Sequence, residues 1–203
     1  MANWGIGLEI LKALHRNRLI KNIITISRCT PKSNDPWENA VYNHALELGY
    51  ETWAEKQIHM EALIRKIYDS CVDLMVTHAY MKILPRGVFS TPKFGAINIH
   101  ASLLPKYRGP SPNQWVLKNR ESETGLTCHY IDERVDTGDI IHQVKISVKK
   151  GDTVATIIEK EKQLIEQLIN ESLSRILSDS FIPSKQIDEN AIYAPRIIEE
   201  HAL

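Results

Sequence analysis

Short apolar runs alternating with stretches of helical spacing constrain this chain more than any other feature. Residues 20–27, 50–53, 73–77 and 95–100 each read as a strand. Ahead of and between them, residues 7–18 carry Leu8, Ile10, Leu11 and Leu14 at helical spacing, residues 38–48 form a helix closed by Gly49, and residues 59–70 form another. Such a rhythm predicts an α/β fold with a doubly wound, mainly parallel, Rossmann-like sheet. Residues 78–84 lead into a turn at 85–87, residues 127–132 and 140–148 read as further strands, and residues 153–177 as one long helix. With 203 residues, 43% of them hydrophobic, the chain suits one domain over residues 1–178. Residues 179–203 have no clear period and read as a tail or linker.

The start departs from this pattern. A doubly wound sheet opens on an apolar strand that ends in the first ligand-binding turn. Here only Met1 and Ala2 precede the loop residues Asn3 and Trp4, so the first, central strand is expected to be missing or cut short. Gly5-Ile6-Gly7 lacks both a third glycine and a preceding strand, which argues against a dinucleotide site.

Charge and cysteine content remove other classes. Lys+Arg and Asp+Glu are both 25, so no global basic field recruits nucleic acid. Cys29, Cys71 and Cys128 are odd in number and far apart, unlike a disulfide framework or a paired-cysteine zinc site, and no metal is expected. No signal-peptide core and no membrane-length apolar run is present, and the reading is cytoplasmic. The sequon Asn170-Glu171-Ser172 is read as chance.

The chemistry concentrates in residues 98–139. Asn98 and His100 are two apart on a strand, so they share a face, and the strand stops at a Pro- and Gly-rich loop. Asp136-Thr137-Gly138-Asp139 lies at another turn, just before Ile140-Ile141. A lone histidine at a strand end is more often structural, but its company changes the reading. Asn98 can donate to a carbonyl oxygen, His100 can donate or shuttle a proton, and Asp136 can hold His100 protonated or accept the proton leaving an amine. That set suits acyl-type transfer, in which an amine attacks a carbonyl and negative charge builds on oxygen. His129 and His142, on predicted strands, read as buried or edge histidines; His78 is evenly balanced, and Asp139 braces the turn.

Asn98-Ile99-His100-Ala101-Ser102-Leu103-Leu104-Pro105-Lys106-Tyr107-Arg108-Gly109, then Trp115, Thr124-Gly125-Leu126-Thr127 and Val135-Asp136-Thr137-Gly138-Asp139-Ile140, resemble the catalytic core of the folate-dependent formyltransferases. The likeness runs in order over residues 5–177. It implies formylation of an amine by 10-formyltetrahydrofolate, with Asn98, His100 and Asp136 as the catalytic triad. It also implies a pterin site built from backbone near Lys82, Ile83 and Leu84 and from Asp132, Glu133, Arg134 and Val135. The turn of Ser102, Leu103, Leu104 and Pro105 lines the same pocket, and the sequence leaves open whether Leu104-Pro105 is cis.

Members of this family differ in the amine they formylate. Enzymes acting on methionyl-tRNA carry a basic loop after the second strand and an added C-terminal barrel, whereas residues 29–37 here contain one Lys. Yet Tyr193-Ala194-Pro195-Arg196-Ile197 with Glu199-Glu200 resembles the segment leading into that barrel. Residues 35–42 together with Ser102-Leu103-Leu104-Pro105-Lys106-Tyr107-Arg108-Gly109 look most like enzymes that formylate UDP-4-amino-4-deoxy-arabinose, although Pro110 stands where those have an Arg. The expectation is therefore a small-molecule amine, a nucleotide-linked amino sugar, as acceptor, with the catalytic domain of a methionyl-tRNA enzyme, or a non-catalytic relative, as the alternative.

Overall fold

A computed structural model describes residues 5–27, 36–54 and 59–197. In chain order the elements are α1 (Ile6–Arg16), β1 (Ile24–Ser27), α2 (Pro36–Glu47), β2 (Glu51–Ala54), α3 (Met60–Asp69), β3 (Met75–His78), α4 (Arg86–Phe89), β4 (Ala96–His100), α5 (Pro112–Lys118), β5 (Glu123–Tyr130), β6 (Ile140–Ser147) and α6 (Val154–Ile176), with a short 3-10 turn at Asp188–Asn190. Cys29, Asn3, Trp4 and most of the predicted 29–37 loop lie outside the described residues.

The α/β architecture expected from the alternating pattern is present. β3 and β4 run parallel, β5 runs against both its neighbours, and β6 therefore shares the direction of β3 and β4, in the order β3-β4-β5-β6. β1 and β2 pair in parallel as a separate two-stranded sheet. Among the described residues nothing hydrogen-bonds the two sheets together, and all four residues of β3 are only half-buried. The expectation of a missing or shortened first strand falls on residues 1–4, which lie outside the described residues.

Two expected elements change their limits. The strand predicted over residues 20–27 is confined to Ile24–Ser27, and the one predicted from residue 127 begins at Glu123. Gly125 hides that early start, because a strand seldom carries glycine in its interior. Here a Cβ on Gly125 would meet the Val144 carbonyl oxygen at 2.1 Å and Leu103 Cδ2 at 2.6 Å, so close packing demands it.

The main core lies between the four-stranded sheet and α6. Ile158, Ile165, Leu168, Ile169, Leu173 and Ile176 form one face of that helix and pack with Ile97, Ile99, Leu126, Cys128, Ile141 and Val144 of the sheet. Ile6, Ile10 and Ala13 of α1 close the same cluster. Each buried aliphatic side chain contributes about 1.5–3 kcal/mol, so this face anchors the sheet. On β4 the alternation is decisive: Ile97 and Ile99 are buried in this core, which turns Asn98 and His100 to the opposite face. Burial pushes the Cys128 thiol up to about 12, leaving it an inert core group.

The segment predicted as tail or linker is ordered in part against the domain. Ser184 exchanges two backbone hydrogen bonds with Ile140, and Arg108 does the same with Ile192 and Ala194. No described helix is long and apolar enough to cross a membrane.

Candidate active site

β4 delivers Asn98 and His100, and the loop between β5 and β6 delivers Asp136. The three meet. Asp136 Oδ1 accepts from Asn98 Nδ2 at 3.3 Å, and its Oδ2 lies 3.5 Å from His100 Nδ1. Asp136 sits at φ 54°, a left-handed conformation that Asp tolerates better than most residues. Gly109 N–H donates to Oδ2 at 2.9 Å. Behind Asp136, Gly138 is required: a Cβ there would stand 1.8 Å from the Tyr130 carbonyl oxygen.

His100 is buried, and its Nε2 donates to the Tyr107 carbonyl oxygen at 2.8 Å. A carbonyl only accepts, so Nε2 carries the hydrogen and Nδ1 holds the lone pair of the neutral ring. Burial lowers the pKa of His100, and the opposing pull of Asp136 and of the Tyr107 carbonyl does not cancel it. Burial would raise the carboxyl of Asp136, but neighbouring His100 and His129 outweigh it and hold the group well below the usual carboxylate range. The resting site is therefore a neutral imidazole beside an ionised carboxylate. Of the two roles expected of Asp136, holding His100 protonated runs against the lowered pKa of His100, and accepting the proton leaving the amine runs against its own lowered pKa.

Two neighbours of the triad were not placed beside it by the sequence reading, which took His129 only as a buried or edge histidine and did not single out Thr77. His129 lies opposite Asn98 in the β4–β5 pairing, fully buried, with Asn98 Nδ2 donating to its Nε2 at 3.2 Å and Asp136 Oδ1 at 3.6 Å. Its Nδ1 donates to the Tyr130 carbonyl at 2.8 Å, which leaves Nε2 free to accept. The carboxylate of Asp136 only accepts, which turns Asn98 Nδ2 toward it, and Thr77, on β3, donates its hydroxyl to Asn98 Oδ1 at 3.0 Å on the other side. The signal for His129 was cross-strand pairing, which places Thr127 and His129 on the face of His100 and Asn98.

Other candidates fall into distinct places. His78 is held by the Ile99 carbonyl at 2.8 Å, and burial lowers its pKa. His142 pairs with Glu171 of α6 at 2.7 Å, away from the triad, as a structural histidine. Asp139 accepts the Tyr130 N–H through its backbone carbonyl, closing the turn.

The residues expected to hold the pterin form two loops and a turn. Ile83 is 66% exposed and Val135 43% exposed, whereas Leu84 turns into the second core cluster with Trp53, Leu63 and Val88. An Arg86–Glu133 ion pair at 3.6 Å ties the loop after β3 to the loop carrying Asp132, Glu133, Arg134 and Val135. Asp132 braces its own loop, accepting from Arg134 N–H at 3.0 Å and from the Thr137 hydroxyl at 2.6 Å. The Leu104–Pro105 bond is cis. Ser102 is fully buried and donates to the Lys106 carbonyl, while Leu104 N–H donates to Thr127 Oγ1 and the Leu104 carbonyl accepts from Gln143. That turn is fixed from within, so it can serve as a shaped wall.

The α/β sheet thus brings an amide, an imidazole and a carboxylate together at a strand end, where folds of this class place their sites. Residues 9–173 match the model of the formyl transferase family, and the chain belongs to that family. It is similar to the methionyl-tRNA formyltransferase of Caldanaerobacter subterraneus subsp. tengcongensis, with 41% identity over 128 residues covering 63% of this chain and 41% of that protein. The methionyl-tRNA formyltransferase of Bacillus subtilis is 34% identical over 163 residues, covering 80% of this chain and 51% of that one. The chain thus spans about half the length of these curated relatives. Among solved structures, phosphoribosylglycinamide formyltransferase from Bacillus halodurans shares the fold with a TM-score of 0.72 at 23% identity, over 88% of this chain and 93% of that one. HypX from Aquifex aeolicus in complex with tetrahydrofolic acid does so with a TM-score of 0.67 at 18% identity, over 88% of this chain and 30% of that one.

Proposed function

We propose that this chain is the catalytic unit of a folate-dependent N-formyltransferase that moves the formyl group of 10-formyltetrahydrofolate to the amino group of methionyl-tRNA. The convergence of Asn98, His100 and Asp136 carries the chemistry of this reading. The named relatives at 34–41% identity support the acceptor. They favour it over the amino-sugar nucleotide anticipated from the sequence.

The reaction requires the acceptor nitrogen to attack the formyl carbon, the carbonyl oxygen to carry negative charge, the amine to lose a proton and N10 of the folate to gain one. One Asn98 N–H turns to that oxygen. His100, neutral at rest, takes the amine proton on Nδ1, and Asp136 balances the imidazolium so formed. Returned to N10, the proton releases tetrahydrofolate, and His100 is again neutral. Exposed Ile83 and Val135 offer apolar surface to the pterin, and backbone groups of residues 82–84 and 132–135 supply its hydrogen bonds, with the turn of Ser102, Leu103, Leu104 and Pro105 as a wall.

Incubating the protein with 10-formyltetrahydrofolate and a panel of charged initiator tRNA, amino-sugar nucleotides and glycinamide ribonucleotide, read by mass spectrometry, tests the acceptor. A formyl mass gain on the methionyl group is expected; gain on a sugar nucleotide alone would overturn this assignment.

A further inference from the structure

Asp136 is kept in its left-handed conformation by more than its own loop. Gln186, from the C-terminal segment, reaches beneath that loop. Its Nε2 donates to the Asp136 carbonyl oxygen at 3.0 Å and to the Gly138 carbonyl oxygen at 2.7 Å. Its Oε1 accepts from Arg108 Nε at 3.0 Å and from Arg108 Nη2 at 2.8 Å. One amide therefore spends both donors on the loop that presents the carboxylate and its acceptor on a largely buried guanidinium.

Arg108 lies between the two catalytic partners. The preceding residue, Tyr107, supplies the carbonyl that fixes His100 Nε2, and the following residue, Gly109, donates to Asp136 Oδ2. The Arg108 backbone is itself gripped by Ile192 and Ala194, at 2.8 Å and 2.6 Å, and its Nη1 pairs with Asp188 at 2.9 Å. Asp188 also faces Arg134, at 3.8 Å, on the loop of Asp136. The strip of chain from Ser184 to Ala194 thus touches both loops: Gln186 hydrogen-bonds both through a single side chain, and Asp188 pairs with Arg108 and Arg134 beside it.

We propose that Gln186 is a positioning residue that sets the separation of Asp136 from His100 by clamping the Asp136–Gly138 backbone to Arg108. The segment read from sequence as a tail then forms part of the catalytic frame. This inference rests on the formyl-transfer reading only for its kinetic consequence; the geometry it asserts can be read without substrate.

Two substitutions separate clamping from simple attachment of the segment. Gln186→Glu keeps an acceptor for Arg108 but loses both donors to the loop carbonyls, and Gln186→Met loses both ends at similar volume. In labelled protein without substrate, the imidazole titration of His100 is followed by NMR, its resonances assigned by their loss in His100→Asn. Gln186→Met, which adds no charge, is expected to move the midpoint of His100 because its distance from the Asp136 charge changes, and Gln186→Glu to move it by that change together with its own carboxylate. In formyl-transfer assays both are expected to lower kcat by about tenfold to a hundredfold, the scale of an ångström of misplacement, with KM for the formyl donor little changed. Should Gln186→Met fail to fold, Gln186→Glu carries the test. A wild-type His100 midpoint in Gln186→Glu, or wild-type kcat, would overturn the proposal. Absence of transfer by the wild-type protein would overturn the proposed function and leave the NMR result to decide the clamp.

Discussion

At the scale of single residues, the chemistry depends on which groups carry charge in the interior. Glu161 shows this outside the site. It is fully buried on α6, where Asn113 donates to its Oε1 at 2.9 Å. Burial raises its pKa to about 8, more than the Asn113 bond lowers it. The folded state therefore holds a proton that the unfolded state, near its usual carboxyl value of about 4.3, has released. Because the native state binds more protons between these values, stability falls as pH rises from about 4.5 to about 8, by at most about 1.4 kcal/mol per pH unit for one proton. Denaturant unfolding at pH 5.5 and pH 8 is expected to show this loss in the wild type and to show less of it in Glu161→Gln. An equal slope in both proteins would place the proton elsewhere.

Asn98, His100 and Asp136 were legible because their residue types and spacing are local. The β4 alternation alone puts two of them on one face. His129 was legible only as a buried histidine, since its approach to Asn98 depends on the register of two strands 31 residues apart. Gln186 was beyond reach for the same reason: its partners lie 48 to 78 residues away, and nothing in its neighbours announces them.

At the scale of elements, long periodic segments were the readable ones. The helix predicted over residues 153–177 is observed as Val154–Ile176, where a repeating apolar face and an N-terminal cap agree. Thr153 Oγ1 accepts from Thr156 N–H at 3.2 Å, and Thr156 Oγ1 accepts in return from Thr153 N–H at 2.8 Å. This reciprocal pair satisfies donors that the first helical turn cannot. Thr153→Ala is expected to lower stability by about 1 kcal/mol in urea denaturation, with an unchanged m-value. A cost near zero would show that the cap is replaced by solvent. Short elements were harder. α5 was passed over because it is seven residues long and starts with Pro112 inside a Pro-, Gly- and Ser-rich loop, although Pro suits a first helical turn. The segment read as a turn at 85–87 instead leads into a helical turn, Arg86–Phe89, that buries Val88 and Phe89.

At the scale of the whole molecule, the four-stranded sheet and α6 form a frame that is independent of the β1–β2 pair in its hydrogen bonding. The proposed triad and its histidine neighbour sit on that frame: Asn98 and His100 on β4, His129 on β5, Asp136 in the loop before β6. The acceptor is the property least visible at this scale, because the chain matches only about half the length of its curated relatives. The proposed formyl transfer turns on three side chains, two on β4 and one in the loop before β6. The most direct test is single-turnover transfer from 10-formyltetrahydrofolate to methionyl-tRNA, comparing the wild type with Asn98→Ala, His100→Ala and Asp136→Asn at matched folding. The triad account predicts transfer by the wild type and a loss of at least about a hundredfold in rate in each variant, the scale of removing a general base or an oxyanion donor. Wild-type rates in His100→Ala would contradict it.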